Sequence, residues 1–306
     1  MKKEELIAIT SVACLLALVQ LLAILVTPTF KEAKMQLFTE PEKISNVFIY
    51  LALILMVTLA VLVIVRYGLK KLVRAVILLS IFITIFYVMY PLLWKFMPGI
   101  AIDNYVILDI PMILALAWAL TLTFYLYKYP EWYVVDATGI FVASGIASIF
   151  GLSFHILPAI ILLLALAIYD VIAVYKTKHM IDLADSVIEL RLPVLLVIPK
   201  KSGYSLLKQK PLKEHIDKGG EREAFFMGLG DFVIPSILTV SAFRFLNSIT
   251  VAYFTMFGAL IGFLVLVKFV SKGKPQAGLP LLNGGALIGY LLSYYLVFRN
   301  LTFGIV

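Results

Sequence analysis

Apolar residues in this chain come in long unbroken runs instead of the helical or alternating periodicity of a soluble fold. The runs cover 6–26, 44–65, 72–94, 105–127, 132–151, 157–175, 224–243, 248–267 and 279–298. Each is near the ~20 residues that carry an α-helix across a hydrocarbon core, so the pattern predicts nine membrane-spanning helices. The first run, 21 residues long, exceeds a signal-peptide core and lacks a small-x-small cleavage site, which makes it a retained span. Only Leu152-Ser153-Phe154-His155-Ile156 separates the fifth and sixth runs. Pro158 suits a first helical turn, so these two runs form a tight hairpin.

The one long polar stretch is 176–223. Within it 179–190 reads as a polar helix with Asp182, Asp185 and Glu189 spaced along it, and 193–199 is a β-prone segment bounded by prolines. The remainder, 200–223, is basic and glycine-containing and reads as a flexible loop. No low-complexity tract or domain-scale repeat is visible. The recurrence of Gly258-Ala259-Leu260-Ile261-Gly262 and Gly285-Ala286-Leu287-Ile288-Gly289 predicts two helix faces that pack closely through small residues.

Composition agrees with a polytopic membrane protein: 62% of the 306 residues are hydrophobic, 14% are charged, and the mean hydropathy is +1.03. The economical organisation is one membrane-embedded domain over 1–306, with spans in 1–175 and 224–306 and the loop between them. A single cysteine, Cys14, excludes an intrachain disulfide and a cysteine zinc cluster. The formal charge of +8 is spread over loops, which argues for topology and against nucleic acid. With nine spans, 20 of the 26 lysines and arginines fall on the side of the N-terminus and the 176–223 loop. That asymmetry puts the N-terminus and the loop in the cytoplasm and the C-terminus outside.

Acids inside apolar runs cost about 2.5 to 3.5 kcal/mol each and are functional candidates by default. Asp231 stands in Phe225-Phe226-Met227-Gly228-Leu229-Gly230-Asp231-Phe232 and Asp170 in Ala167-Ile168-Tyr169-Asp170. The two glycines before Asp231 ask for a close backbone approach or a local opening of the helix. If both runs are helical, the acids lie at nearly the same depth in the inner half of the bilayer. Two adjacent carboxylates in low dielectric share one proton, the condition for aspartic-protease chemistry. A proton- or cation-conducting transporter uses the same residue types, so the acids alone leave both readings open. Asp136 has a similar depth and stands close to the membrane boundary after Glu131, while Asp109 precedes Pro111; both read as helix caps or anchors. His155, His179 and His215 offer no zinc motif, and Ser144 is eleven residues from His155, too far along a helix for a serine–histidine pair. Asn300-Leu301-Thr302 matches a glycosylation acceptor, a short pattern that arises by chance.

Tyr169-Asp170 in the sixth run and Gly228-Leu229-Gly230-Asp231 in the seventh resemble the paired signature of the presenilin and signal peptide peptidase family of intramembrane aspartyl proteases. Phe232-Val233-Ile234-Pro235, the 193–199 stretch and the nine-span layout are similar too. The family's Pro-Ala-Leu element corresponds to Gln276-Ala277-Gly278-Leu279-Pro280, where Leu279 is kept and Ala277 and Gly278 replace the first two positions. The resemblance covers 132–298, and the earlier spans match only in number and hydrophobicity. It implies an all-α bundle of nine transmembrane helices in the presenilin-like orientation. It also implies hydrolysis of peptide bonds in or near substrate transmembrane helices by Asp170 and Asp231, without metal or organic cofactor. Tyr169, Gly228, Leu229, Gly230, Gly278, Leu279 and Pro280 would then support the pair or bind substrate. An unwound substrate would pair by strand addition with 193–199 and the Gly278-Leu279-Pro280 approach. A compact, prokaryotic-looking homologue in a cell membrane, acting alone or as a homo-oligomer, fits the short loops. A transporter on the same acids and an inactive scaffold are the alternatives.

Overall fold

The structure, a computed structural model, describes residues 3–97, 100–102, 105–177, 195–200, 203–206, 224–270 and 276–304. Among them are nine α-helices: α1 (Lys3–Glu32), α2 (Ser45–Arg66), α3 (Lys70–Phe96), α4 (Ile110–Lys128), α5 (Trp132–Ser153), α6 (Ile156–Val171), α7 (Leu229–Phe245), α8 (Ile249–Val270) and α9 (Leu279–Phe298). Seven are long and apolar enough to cross a membrane by themselves; the apolar α2 and the 17-residue α7 make up the nine. The helix expected over 179–190, the residues Pro193 and Val194, and most of the basic 200–223 segment lie outside the described residues.

The hairpin between α5 and α6 is as tight as expected: α5 ends at Ser153, α6 starts at Ile156, and Pro158 sits in its first turn. Two other expected helix starts are corrected. Residues 105–108 form strand β2 (Tyr105–Leu108), which pairs antiparallel with β1 (Ile100–Ile102). The helix begins only at Ile110, because Asp109 accepts from the Met112 N–H at 2.9 Å and Pro111 starts the first turn. Asp109 is thus the cap its position suggested. Residues 224–228 are likewise extended, as strand β4 (Ala224–Gly228), which pairs antiparallel with β3 (Leu195–Pro199). Aromatic Phe225 and Phe226 suit a strand, and the helix starts after Gly228, whose ψ of 139° is extended.

At the centre is α5, which packs on α1, α3, α4, α7 and β3. Its small side chains explain why: a methyl at Gly145 would strike Val88 of α3, and one at Gly151 would strike Val240 of α7. Buried hydrogen bonds tie α1 to this group, Thr27 to Ser148 of α5 at 2.9 Å and Thr239 of α7 to Gln20 at 2.7 Å. On the other flank α8 and α9 touch through Gly258, Gly262, Gly285 and Gly289, as the recurring motif predicted. By contrast Phe48, Ile49, Leu53 and Met56 of α2 are exposed, which hydrocarbon tolerates and water does not.

The β3–β4 ladder is enclosed on both faces. Leu196 and Ile198 pack with Val12, Leu16, Phe232 and Phe263. Val197, pointing the other way, packs with Val135, Val142, Ile81 and Leu126. This alternation is that of a strand buried between two helical layers.

Candidate active site

Asp170 stands one residue before the end of α6, where the helix passes into a π-helical turn (Ile172–Thr177). Its carboxylate is buried, 4% exposed, and accepts from the Leu279 N–H at 3.0 Å. The N–H of Gly278 also points to it. Both donors belong to the first turn of α9, where four N–H groups have no helical partner. Pro280 in that turn has no N–H and loses nothing by being there.

Asp231 is the third residue of α7, and its carboxylate reaches back to the N–H of Gly228, the N-cap. This is half of a capping box, and a helix N-terminus favours a negative charge. A methyl on Gly278 would lie 3.5 Å from Asp231 Oδ1 and 3.6 Å from its Cγ. The two acids therefore converge on two consecutive residues, Gly278 against Asp231 and Leu279 bonded to Asp170, and their charges act on each other. The depth count made on the sequence does not survive, since residues 224–228 rise about 3.4 Å each as a strand and not about 1.5 Å as a helix. The convergence on α9 brings the acids together instead.

The glycines of the motif are not forced by backbone angle. Gly228, Gly230 and Gly278 have no positive φ. Around Gly230, which is exposed, the nearest atom to an added methyl would be Ile234 Cδ1 at 3.8 Å. The space beside Asp231 is left open by the protein itself. Where the resemblance expected an alanine, Gly278 would accept one in ordinary contact. Leu229 packs into the core below β3. Tyr169 is 40% exposed on the far side of Asp170 and makes no hydrogen bond to either carboxylate. Pro280 lines a crevice of about 260 Å³ between α6 and α9 with Leu164, Ala167, Ile168, Val171 and Asn283. Tyr175 of the π turn bonds Gln276 at 2.5 Å across the same gap, a link that nothing in the sequence signals.

Asp136 does not reach out to the interface. It is 7% exposed, and its Oδ1 accepts from the Val197 N–H at 2.7 Å. Left without that acceptor, a buried N–H would cost about 1–3 kcal/mol. Because Val197 donates to α5, Val197 and Phe226 are a pair without mutual hydrogen bonds, and Phe226 turns its N–H and C=O to the outer edge of β4. Among the described residues no strand lies along that outer edge.

Residues 13–299 match the family model described as signal-peptide peptidase, presenilin aspartyl protease. Among curated proteins no match to the chain is found. A solved structure of a presenilin-family intramembrane aspartate protease, in a C222 crystal form, is 34% identical over 94% of this chain and 99% of its own, with a TM-score of 0.69. A P2 crystal form of such a protease is 35% identical over 93% of this chain and 96% of its own, with a TM-score of 0.67. With the matched region spanning nearly its whole length and its two intramembrane acids meeting at the head of α9, the chain belongs to the presenilin and signal-peptide peptidase family of intramembrane aspartyl proteases.

Proposed function

We propose that Asp170 and Asp231 are the catalytic pair of this intramembrane endopeptidase and that its substrates are transmembrane segments. The observation that carries this is their common seat: Leu279 N–H holds Asp170 while Gly278 lies against Asp231. The family decides for proteolysis between the two readings the acids alone left open. One carboxylate of the pair, ionised, takes a proton from water, and the other, protonated, polarises the scissile carbonyl. The tetrahedral diol then collapses to a carboxylic acid and an amine with the protons exchanged. No organic or metal cofactor is needed for these steps.

A helical substrate hides its carbonyls, so the bond must be presented in extended form. Strand addition on 193–199, the expected place, meets two contacts among the described residues: one edge of β3 is taken by β4, and on the other the Val197 N–H is bonded to Asp136. The outer edge of β4 remains, and it leads through Gly228 to Asp231. An open edge at membrane depth is tolerated only where it lines a cavity, which suits a place for substrate. The crevice between α6 and α9, lined by Val171 next in the chain to Asp170, suits lateral arrival from the bilayer. The lysine and arginine distribution supports a cytoplasmic N-terminus and an external C-terminus, and a prokaryotic cell membrane is the proposed location. The chain acts alone or as a homo-oligomer.

The test is cleavage of a single-span reporter by the purified protein in bilayers. Asp170→Asn and Asp231→Asn are each expected to bring cleavage to background while the protein stays folded. Wild-type cleavage by either variant overturns the pair. Proton flux through the bilayer, altered by these changes in a protein that cuts nothing, would restore the transporter.

A further inference from the structure

Of Asp136 and Asp170, the two acidic residues buried to 7% and 4% exposure among the described residues, only Asp170 has a part in the chemistry above. Asp136 lies in the second turn of α5, 61 residues before the amide it binds. Its neighbours on the same helix act on the same segment. One turn earlier Glu131 accepts from Ser205 Oγ at 2.6 Å and from the Leu206 N–H at 3.0 Å, just beyond β3. One turn later Gly139 lies under Leu196 of β3 and Leu229 of α7. The N-cap of α5 and two of its turns thus grip β3 and the residues after it, and Leu229 is two residues from Asp231.

Backbone groups at membrane depth need partners, and Asp136 gives one to the edge of β3 that faces α5. A serine or threonine on α5 is shorter by an atom, whereas Asp136 reaches the strand from the helix axis and keeps a second oxygen free. We propose that Asp136 is a positioning residue for the hydrolysis. By holding Val197 it sets the depth of β3 and, through the ladder, of β4, which runs into Gly228 and Asp231. Among the described residues it leaves the outer edge of β4 open to an extended substrate. The inference rests on the reading of Asp170 and Asp231 as the catalytic pair.

Asp136→Asn keeps an oxygen acceptor for Val197 and removes the charge; Asp136→Leu removes the acceptor at similar volume. The asparagine protein is expected to cut the reporter at the wild-type bond with kcat within about threefold. The leucine protein is expected to lose about 10- to 100-fold in kcat with KM nearly unchanged, since a small misplacement of a reacting group has that effect. Its products, read by mass spectrometry, spread over neighbouring bonds. Amide exchange at Val197 should be slow in wild type and in the asparagine protein and fast in the leucine protein. Wild-type kcat and cutting position in the leucine protein overturn the proposal. So does loss of cleavage in the asparagine protein as complete as in Asp170→Asn, which would make Asp136 an acid of the reaction. Should the leucine protein not fold, the asparagine protein still decides, because the proposal requires it to be active. Failure of the catalytic pair reads differently, as cleavage retained by Asp170→Asn or Asp231→Asn whatever stands at 136.

Discussion

Where α8 meets α9, a methyl added to Gly258, Gly262, Gly285 or Gly289 would strike main-chain atoms of the opposite helix. Around the acids, a methyl on Gly228, Gly230 or Gly278 would find nothing nearer than 3.5 Å. The residue type is the same and the physics is opposite. In lipid, where apolar side chains gain nothing by leaving the solvent, two helices associate by van der Waals contact, and the first set of glycines provides it. The second set leaves space near the acids, which the proposed function would give to a peptide backbone. Packed glycine joins α8 to α9, whereas the glycines beside the acids leave space at the proposed site.

The comparison breaks at its strongest point if Gly285→Val is tolerated. Its side chain would meet the Gly258 carbonyl and Gly262 Cα across the interface, so the variant should lose more than about 3 kcal/mol of stability, or fail to fold. Thermal unfolding in detergent measures this, and an unchanged midpoint refutes the packing role. Next in size, Gly230→Val should leave unfolding unchanged and lower cleavage about 10- to 100-fold, because its methyls would fill the open space at the residue before Asp231, where Ile234 Cδ1 at 3.8 Å is the neighbour. Full activity in that variant would mean that the substrate comes to Asp231 from another side. The smallest effect belongs to Gly278→Ala. Its methyl makes ordinary contact with Asp231 and Leu266, so cleavage should stay within about threefold and stability within about 0.5 kcal/mol. A large loss there would show that Gly278 is itself part of the substrate's path.

Most of the bundle was legible because the property that makes a membrane helix, an apolar run of sufficient length, belongs to a contiguous segment. The α5–α6 hairpin and the Asp109 cap were legible for the same reason: Pro158, Asp109 and Pro111 act on the turn in which they stand. Residues 224–228 were not. Phe225-Phe226-Met227 is apolar enough to extend a span, and its true state depends on β3, some thirty residues away in the chain. Gly228 held the signal, since a glycine before a helix start serves as a cap as readily as it weakens a helix.

The candidate site divides along the same line. That Asp170 and Asp231 are candidates follows from the sequence alone, because the cost of a carboxylate in an apolar run is a property of one residue and its immediate neighbours. The room around Gly230, the bond from Leu279 to Asp170 and the bond from Val197 to Asp136 were decided only by the tertiary structure, because each joins segments that the chain holds apart. The last two span 109 and 61 residues. A buried donor takes whatever acceptor the fold brings within about 3 Å of it, and that choice is made in space.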